Sequence, residues 1–295
     1  MGVGFAAVRA RVLPAQASAP MTSLLMKITL PATIFSSMFR PFDPSFLRDA
    51  LTIFFIGLVF HLGYVGLAWA LSRVFRVPQA RRGMWTMCCA FCNNGFMGFP
   101  VAYALFGEEG LALAAILGIA FNLLIYTIGA KLVAMDRPAD VDAPPLSWGK
   151  VLCTPVNLSI LLGLAAYCLQ LSLPVALTTP IQHLANITTP LSMMVTGMNL
   201  AGSRLSDVVR DRDALTASGV RLLLIPLLTW VLLHPVPISN PLVMGVALVI
   251  MSMPSPAVSV VMAEEYGGCV ELGARTVCLS SMFCIVTIPL MALLL

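Results

Sequence analysis

Long apolar segments, separated by short connectors rich in proline or charge, follow one another along the chain. Because a helix needs about 20 apolar residues to cross a bilayer, each such segment predicts a membrane span. Residues 1–20 do not provide one, since Arg9 and Arg11 interrupt a very short apolar run; they resemble the cytoplasmic end of a first helix whose earlier part is missing. The spans predicted after it are 22–39, 46–72, 84–107 (broken), 110–134, 151–173, 180–201, 214–235, 241–265 (broken) and 272–295.

The composition is typical of a polytopic membrane protein. Hydrophobic residues make up 59% of the chain and charged residues only 10%, against about 25% charge in soluble domains, and the mean hydropathy is +0.94. The net charge of +4 is too small and too scattered to indicate a nucleic-acid partner. Cys88, Cys89 and Cys92 lack a second ligand pair at zinc spacing. We therefore expect the cysteines to be small packing residues, and no metal or cofactor.

Lysine and arginine are concentrated in alternate connectors, and this bias sets the expected orientation. The intervening connectors are almost bare, and those near 174–180 and 235–241 contain no charged residue. We therefore expect a multi-pass protein of the cell membrane whose basic connectors lie in the cytoplasm and whose C-terminus lies outside. The cytoplasmic linker 136–150 then divides the chain into two repeats, 1–135 and 151–295.

One predicted span, 84–107, contains the sequence Phe-Cys-Asn-Asn-Gly-Phe-Met-Gly-Phe-Pro at 91–100. Inside a helix, Gly costs about 1 kcal/mol and Pro about 3 kcal/mol relative to Ala, so this stretch predicts a broken helix. Broken backbone at membrane depth is tolerated only where protein or a water-filled cavity satisfies its polar groups. The break therefore indicates a functional site, with a purely structural kink as the alternative.

The two halves of the chain repeat each other. Lys-Ile-Thr-Leu-Pro, ending at Pro31, recurs 159 residues later as Asn-Ile-Thr-Thr-Pro, ending at Pro190. The second broken span repeats the first at an offset of 156 residues, with 254–265 matching 98–109. Five spans in each half is an odd number, so the second half must be inverted in the membrane. Inverted repeats with broken helices at matching positions are the best sequence sign of a secondary transporter's binding site.

Each break can present the N-terminus of a half-helix near the bilayer midplane. Pro100 can begin the second half of its helix, because a first-turn N–H has no intrahelical partner, and Pro254 or Pro256 can do the same. Such an end carries unpaired N–H groups and about +0.5 charge, so two facing ends predict an anion site, most simply for a carboxylate. No Asp or Glu lies in either break, which disfavours carboxylate-based proton or sodium exchange and leaves backbone carbonyls open to a coupling cation. No catalytic residue or metal ligand is predicted, and the candidate substrate-binding residues are Asn93, Asn94, Gly95, Gly98, Pro100, Pro254, Ser255, Pro256, Ser259 and Asn199.

Other polar residues in the spans each leave two explanations open. Lys27 fits snorkelling to the interface or a role in the site, and Arg275 fits an interface anchor or a functional charge. His61 fits a packed neutral imidazole or a proton-coupling group. Asn122 and Tyr126, one turn apart, fit either the lining of a cavity or contacts between helices.

Three stretches resemble the auxin efflux carrier family, which includes the plant PIN-FORMED carriers and bacterial malate and malonate permeases. Residues 93–100, Asn-Asn-Gly-Phe-Met-Gly-Phe-Pro, resemble its fourth-helix crossover. Met-Pro at 253–254, followed by Ala-Glu-Glu-Tyr-Gly at 263–267, resembles its ninth-helix crossover. Residues 190–201 are similar to its seventh-helix pattern of Pro followed by Gly-x-x-Leu-Ala, and the resemblance extends over 22–295.

The resemblance implies an all-α fold of ten helices in two inverted five-helix repeats, with the broken helices 4 and 9 crossed. It also implies a scaffold domain and a transport domain, often a dimer, and places Asn93, Pro100 and Pro254 at the substrate. We therefore expect a secondary transporter that carries a small organic anion, such as malate, malonate or an auxin-like acid, by alternating access in a lipid bilayer. The alternatives are a sodium-coupled symporter of the bile-acid type and a membrane-embedded enzyme using His61 or Cys92. No ring of carbonyls or charges indicates a channel filter.

Overall fold

The computed structural model describes residues 2–137, 154–171, 173–201 and 209–293, and every regular element in these ranges is helical. The predicted linker 136–150 lies outside the described residues from 138 onwards, as does the start of the predicted span 151–173. Several helices include a wider π-helical turn. The elements are α1 (Gly2–Arg9), α2 (Ser18–Leu24, π turn Leu25–Thr29, Leu30–Ser37), α3 (Pro44–Val74), α4 (Gln79–Ala90), α5 (π turn Asn94–Gly98, Phe99–Leu124, π turn Ile125–Gly129, Ala130–Ala134), α6 (Pro155–Cys168), α7 (Val175–Ala201), α8 (Arg212–Gly219, π turn Val220–Leu224, Ile225–Leu233), α9 (Pro241–Met251), α10 (Val258–Tyr266) and α11 (Val270–Ala292).

Four stretches of these helices are long and apolar enough to cross a membrane: Pro44–Val74, Gln79–Ala134, Arg212–Leu233 and Val270–Ala292. The helices α6 and α9 are apolar but shorter. The prediction of an all-α polytopic membrane protein is confirmed. Inside α5, Gly107 has φ 66° and ψ −157°, a conformation open to glycine, and there the chain turns from one span into the next.

Helix starts follow local sequence rules. Asp43, Thr154 and Asn240 each precede a proline, and each side chain accepts a hydrogen bond from a backbone N–H of the helix that follows. Such a cap satisfies a donor that has no intrahelical partner, while proline in the first turn has no N–H to leave unpaired. These pairs are local features, which is why the helix starts near them are readable from the chain.

The helices pack as two bundles. The small bundle consists of α1, α2, α6 and α7; the large bundle consists of α3, α4, α5 and α8 to α11. In the small bundle the helices that carry the repeated proline motifs meet: the hydroxyl of Thr33, two residues after the first motif, lies 2.6 Å from that of Thr188 in the second. The two bundles contact through Asn122 and Asn157, joined by a 2.6 Å hydrogen bond, and through apolar packing described below.

A charged cluster ties the helices of the large bundle together at one end. The Asp211 carboxylate accepts hydrogen bonds from Arg81 and Arg275, and Arg275 also pairs with Glu271. Burial acts to raise the pKa of Asp211, but the arginine hydrogen bonds outweigh it and hold the pKa below its usual value. Arg275, for which the sequence left two explanations open, is thus a member of an ion-pair network joining α11 to α4 and α8.

Candidate functional site

The two breaks of the large bundle contact each other directly. After α4 ends at Ala90, residues 91–93 are non-helical, and after α9 ends at Met251 the helix resumes only at Val258. The backbone N–H of Asn93 donates to the Pro254 carbonyl at 2.7 Å. Both interruptions therefore lie at one place in the fold, as their matching positions in the two repeats suggested.

Asn93 organises the first break. Its side-chain oxygen accepts a 3.3 Å hydrogen bond from the N–H of Phe96, so it caps the π turn that begins at Asn94. The Asn93 carbonyl accepts from the N–H of Gly98 at 3.0 Å. The half-helix accordingly begins at Asn94, and the expectation that Pro100 begins it is wrong by about one and a half turns. Pro100 lies in the first turn of the regular α-helix that follows this π turn.

The second break is held by hydroxyl groups. The Ser255 hydroxyl donates to the Cys88 carbonyl at 2.8 Å, and the Ser255 N–H donates to the Ser280 hydroxyl at 3.1 Å. Ser255 and Ser259 are both fully buried. In this second half-helix, α10 begins at Val258, two residues after Pro256.

A cavity of about 460 Å³ lies between the two bundles at this crossing. Of the candidate residues, Asn93, Asn94, Gly95, Asn199 and Pro256 line it. The other five, Gly98, Pro100, Pro254, Ser255 and Ser259, are buried or packed in the crossing itself rather than in the cavity wall. The remaining wall consists of Ser18, Ala19, Thr22, Met26, Leu30, Cys92, Phe96, Phe99, Phe121, Asn122, Tyr126, Thr154, Val156, Ala257, Val258 and Val261.

The cavity has a largely apolar wall with a few neutral polar groups and no charged side chain among the described residues that line it. The starts of both half-helices, Asn94–Phe96 and Ala257–Val258, belong to its wall, and such ends carry a partial positive charge. At the first start, the N–H groups of Asn94 and Phe96 already donate to the Cys92 carbonyl and the Asn93 side chain. Asn122 and Tyr126, whose role the sequence left open, both line the cavity, and Asn122 also joins the two bundles.

The Asn94 side chain is closely packed between two glycines. Its side chain is 2% exposed, and its carboxamide lies against Gly98 on one side and Gly118 on the other, where a Cβ would come within 3.1 Å and 2.9 Å of it. Its Oδ1 atom has no hydrogen-bond partner among the described residues. The two glycines leave the space that the carboxamide occupies at the cavity wall.

Sequence reasoning missed Arg221, which lies at the centre of the crossing. This side chain is fully buried. Its Nε donates to the Met253 carbonyl at 2.9 Å, and its Nη1 lies 3.2 Å from the Cys89 carbonyl and 3.4 Å from that of Ala90. Nη2 donates to the carbonyl of Met251. The available signal was an arginine well inside an apolar span, which is by default a functional-site hypothesis.

His61 lies behind the cavity wall. It is fully buried, and its Nδ1–H donates to the Gly57 carbonyl at 2.6 Å. Its ring stacks on Phe91 at a centroid distance of 5.6 Å and meets the edge of Phe121. Lys27, by contrast, has an exposed side chain and is not among the residues that line the cavity.

Comparison with known proteins identifies the class. A family model described as "Membrane transport protein" matches residues 1–292. This chain belongs to that family. The resemblance to auxin efflux carriers is thereby confirmed, and the protein is a transporter.

Curated relatives of the transporter span nearly its whole length. An "Uncharacterized transporter" of Methanothermobacter thermautotrophicus is 26% identical over 96% of this chain and 91% of its own. An "Uncharacterized transporter" of Methanocaldococcus jannaschii is 28% identical over 92% of this chain and 87% of its own. A "Putative malonate transporter" of Rhizobium meliloti is 22% identical over 97% of this chain and 89% of its own.

Proposed function

We propose that this transporter moves a small organic anion, most simply a carboxylate, across the cytoplasmic membrane by alternating access. The observation that carries the proposal is the cavity at the crossing, where two half-helix starts meet neutral amide side chains and no charged side chain lines the described wall. Helix starts bind anions through N–H groups and the helix dipole. An acidic wall would repel a carboxylate, and none is present in the lining residues.

The proposed contacts fall into two groups. Amide groups of Asn93, Asn94 and Asn199 lie in the wall and can donate hydrogen bonds to a carboxylate. Phe99 and Phe121 contribute aromatic surface to the same cavity, which can contact an apolar part of the substrate. The malonate named for one relative is therefore the first anion to test, with larger carboxylates beside it.

We propose that the cavity opens towards the cytoplasm in this structure. Ser18 and Thr154 line it near the starts of α2 and α6, close to connectors whose basic residues favour the cytoplasmic side. Near the opposite side, the Arg40 guanidinium pairs with the Glu109 carboxylate at 3.0 Å. This pair joins the connector after α2 to the turn beside Gly107, and it closes the outer face in our proposal.

A second cavity of about 240 Å³ continues the bundle interface towards that outer face. Thr33 lines it, one turn beyond Leu30 of the central cavity, together with Glu108, Gln182 and Asn186. Between the bundles at the crossing, Phe96 packs against the apolar cluster of Leu25, Leu191 and Val195. Apolar contacts of this kind can slide without exposing a buried charge, which suits relative movement of the two bundles.

The test is a thermal-shift screen of the purified protein in detergent against malonate, malate, larger monocarboxylates and sodium alone. A ligand at 100 times its dissociation constant stabilises by about 2.7 kcal/mol. We expect a carboxylate to raise the melting temperature of the wild type and to be taken up by proteoliposomes that contain it.

The matched variants are Asn93→Asp and Asn93→Ala. Asp keeps an oxygen that can cap the N–H of Phe96, but it replaces the amide donor with a negative charge, so we expect folding to persist and anion binding to be lost. Ala removes the cap as well, at a cost of about 1 kcal/mol. Full carboxylate binding by Asn93→Asp would exclude the crossing as the anion site, and stabilisation by sodium alone would favour the symporter.

A further inference from the structure

We propose that the Arg221 guanidinium takes the place of a coupling cation at the crossing. It positions both broken helices for the anion, and it occupies the carbonyls at the C-terminal ends of α4 and α9 to which such a cation would bind. The transport consequence rests on the proposed function, whereas the structural part stands without it. The supporting observations are the partners of the guanidinium, its burial and the place of Arg221 in the repeat.

The guanidinium bridges the two breaks. It reaches Cys89 and Ala90 at the end of α4, and Met251 and Met253 at and after the end of α9. Arginine presents five donors in a rigid planar fork, which allows one side chain to reach carbonyls from two helices. Its position comes from the π turn Val220–Leu224 of α8, within which Arg221 lies.

The charge of Arg221 is balanced by helix ends and not by an acid. Among the described residues its hydrogen-bond partners are all backbone carbonyls. A helix C-terminus carries about −0.5 charge, so two such ends together offset about one positive charge. Without Arg221, these two negative ends would face each other beside the cavity and weaken the attraction of the opposite, positive ends for an anion.

Arg221 also occupies the place where a coupling ion would bind. In transporters with interrupted helices, unwound carbonyls and half-helix C-terminal ends coordinate sodium. Here four carbonyls of that kind already accept hydrogen bonds from one guanidinium. We infer that sodium has no role at these carbonyls, which narrows the question of coupling that the sequence left open.

The repeat gives an independent reason to regard this position as special. Arg221 lies 160 residues after His61, close to the offsets of 156 and 159 residues between the repeated motifs. Both side chains are fully buried, and both reach the same junction, since the His61 ring stacks on Phe91, the residue directly after α4. The first repeat thus places His61 of α3 against the crossing, and the second repeat places Arg221 of α8 there. Of these two side chains, Arg221 supplies the permanent charge.

The experiment is chemical rescue of Arg221→Ala by millimolar guanidinium, read as the melting temperature of the purified protein without any carboxylate. We expect the variant to melt well below the wild type and guanidinium to restore most of the loss, while sodium or potassium at the same concentration restores none. Arg48→Ala, which removes an exposed arginine of α3, is the matched control and should show no rescue. Failure of guanidinium to stabilise Arg221→Ala, or equal rescue by sodium, would overturn the proposal.

Arg221→Lys keeps the inference testable if the alanine variant does not fold. A lysine ammonium keeps the charge but cannot span carbonyls from both helices, so hydrogen exchange should accelerate at 91–98 and 252–258 and stay unchanged at the Asp211 cluster. Exchange equal to the wild type in both regions would refute the positioning role. A sodium-induced rise in the wild-type melting temperature, relative to choline at equal ionic strength, would refute the ion-independent role. Absence of any carboxylate effect would count against the proposed function alone.

Discussion

Gly118→Ala tests whether the packing of Asn94 sets the anion site. A Cβ added at Gly118 would lie 2.9 Å from Asn94 Nδ2 and 2.9 Å from Phe99 Cζ. Both neighbours are 2% exposed and lie in the cavity wall, so they can relieve this contact only by shifting towards the cavity. The methyl group must therefore displace the carboxamide, the ring or the helix that carries Gly118.

Two opposing effects set the magnitude. Replacing Gly by Ala inside a helix favours folding by about 0.5–1 kcal/mol, while overpacking a well-packed core costs about 1–3 kcal/mol. Gly63→Ala in α3 is the matched control, because nothing lies within 4 Å of the Cβ it would add. We expect Gly118→Ala to be less stable than Gly63→Ala by about 1–3 kcal/mol.

The functional loss should exceed the loss of stability. A hydrogen bond to a charged group contributes about 1.5–3 kcal/mol, so displacing the Asn94 carboxamide should weaken carboxylate affinity by roughly 10–100-fold. Thermal melting gives the stability difference, and titration of the carboxylate found in the screen gives the affinity. If Gly118→Ala binds that carboxylate as the wild type does and is as stable as Gly63→Ala, the geometry described for Asn94 does not govern binding.

Two further predictions concern a buried carboxylate just after α5 and the side of the membrane on which the C-terminus lies. Burial raises the pKa of Asp136 to about 6, although the hydrogen bonds that its carboxylate accepts from the Met84 and Gly83 N–H groups act to lower it. Because this pKa lies above the unfolded value of 3.8, protonation of Asp136 contributes stability that is full below about pH 4 and is lost as the pH rises through about 6. Melting temperatures of Asp136→Asn measured across this pH range should not show this loss. An unchanged loss in the variant would mean that another group causes it. A periplasmic alkaline phosphatase fused after the C-terminus should be active and a fused fluorescent protein dark, and the reverse result would invert the proposed orientation.

The parts of the fold that depend on local sequence were predictable. Apolar length indicates the spans, and the Gly, Pro and Asn residues of 91–100 indicate the first break, because their helix costs are properties of the residues themselves. The repeated motifs added one tertiary statement, since the two breaks, at matching places in inverted halves, are expected to face each other. The contact between Asn93 and Pro254 agrees with it.

The parts that depend on distant partners were not predictable. The half-helix begins at Asn94 and not at Pro100 because the Asn93 side chain caps a π turn, and π turns have no clear residue signature. The space for Asn94 depends on Gly118, which comes from the following span. Arg221 was visible as a charge in an apolar segment, but its partners are backbone carbonyls. Because every residue has a backbone carbonyl, the sequence does not indicate which ones an arginine will contact.

The electrostatics of the crossing follow from the direction of its four helix segments. Two segments, α4 and α9, end there with negative C-termini, and two, α5 and α10, begin there with positive N-termini. Left alone, these ends would nearly cancel, and the cavity would have no preference for charge. Because Arg221 binds the carbonyl ends while the other two ends belong to the cavity wall, the balance becomes positive without a basic residue in contact with the substrate. A site of this kind can hold an anion and still release it, since no direct ion pair has to be broken when the bundles move.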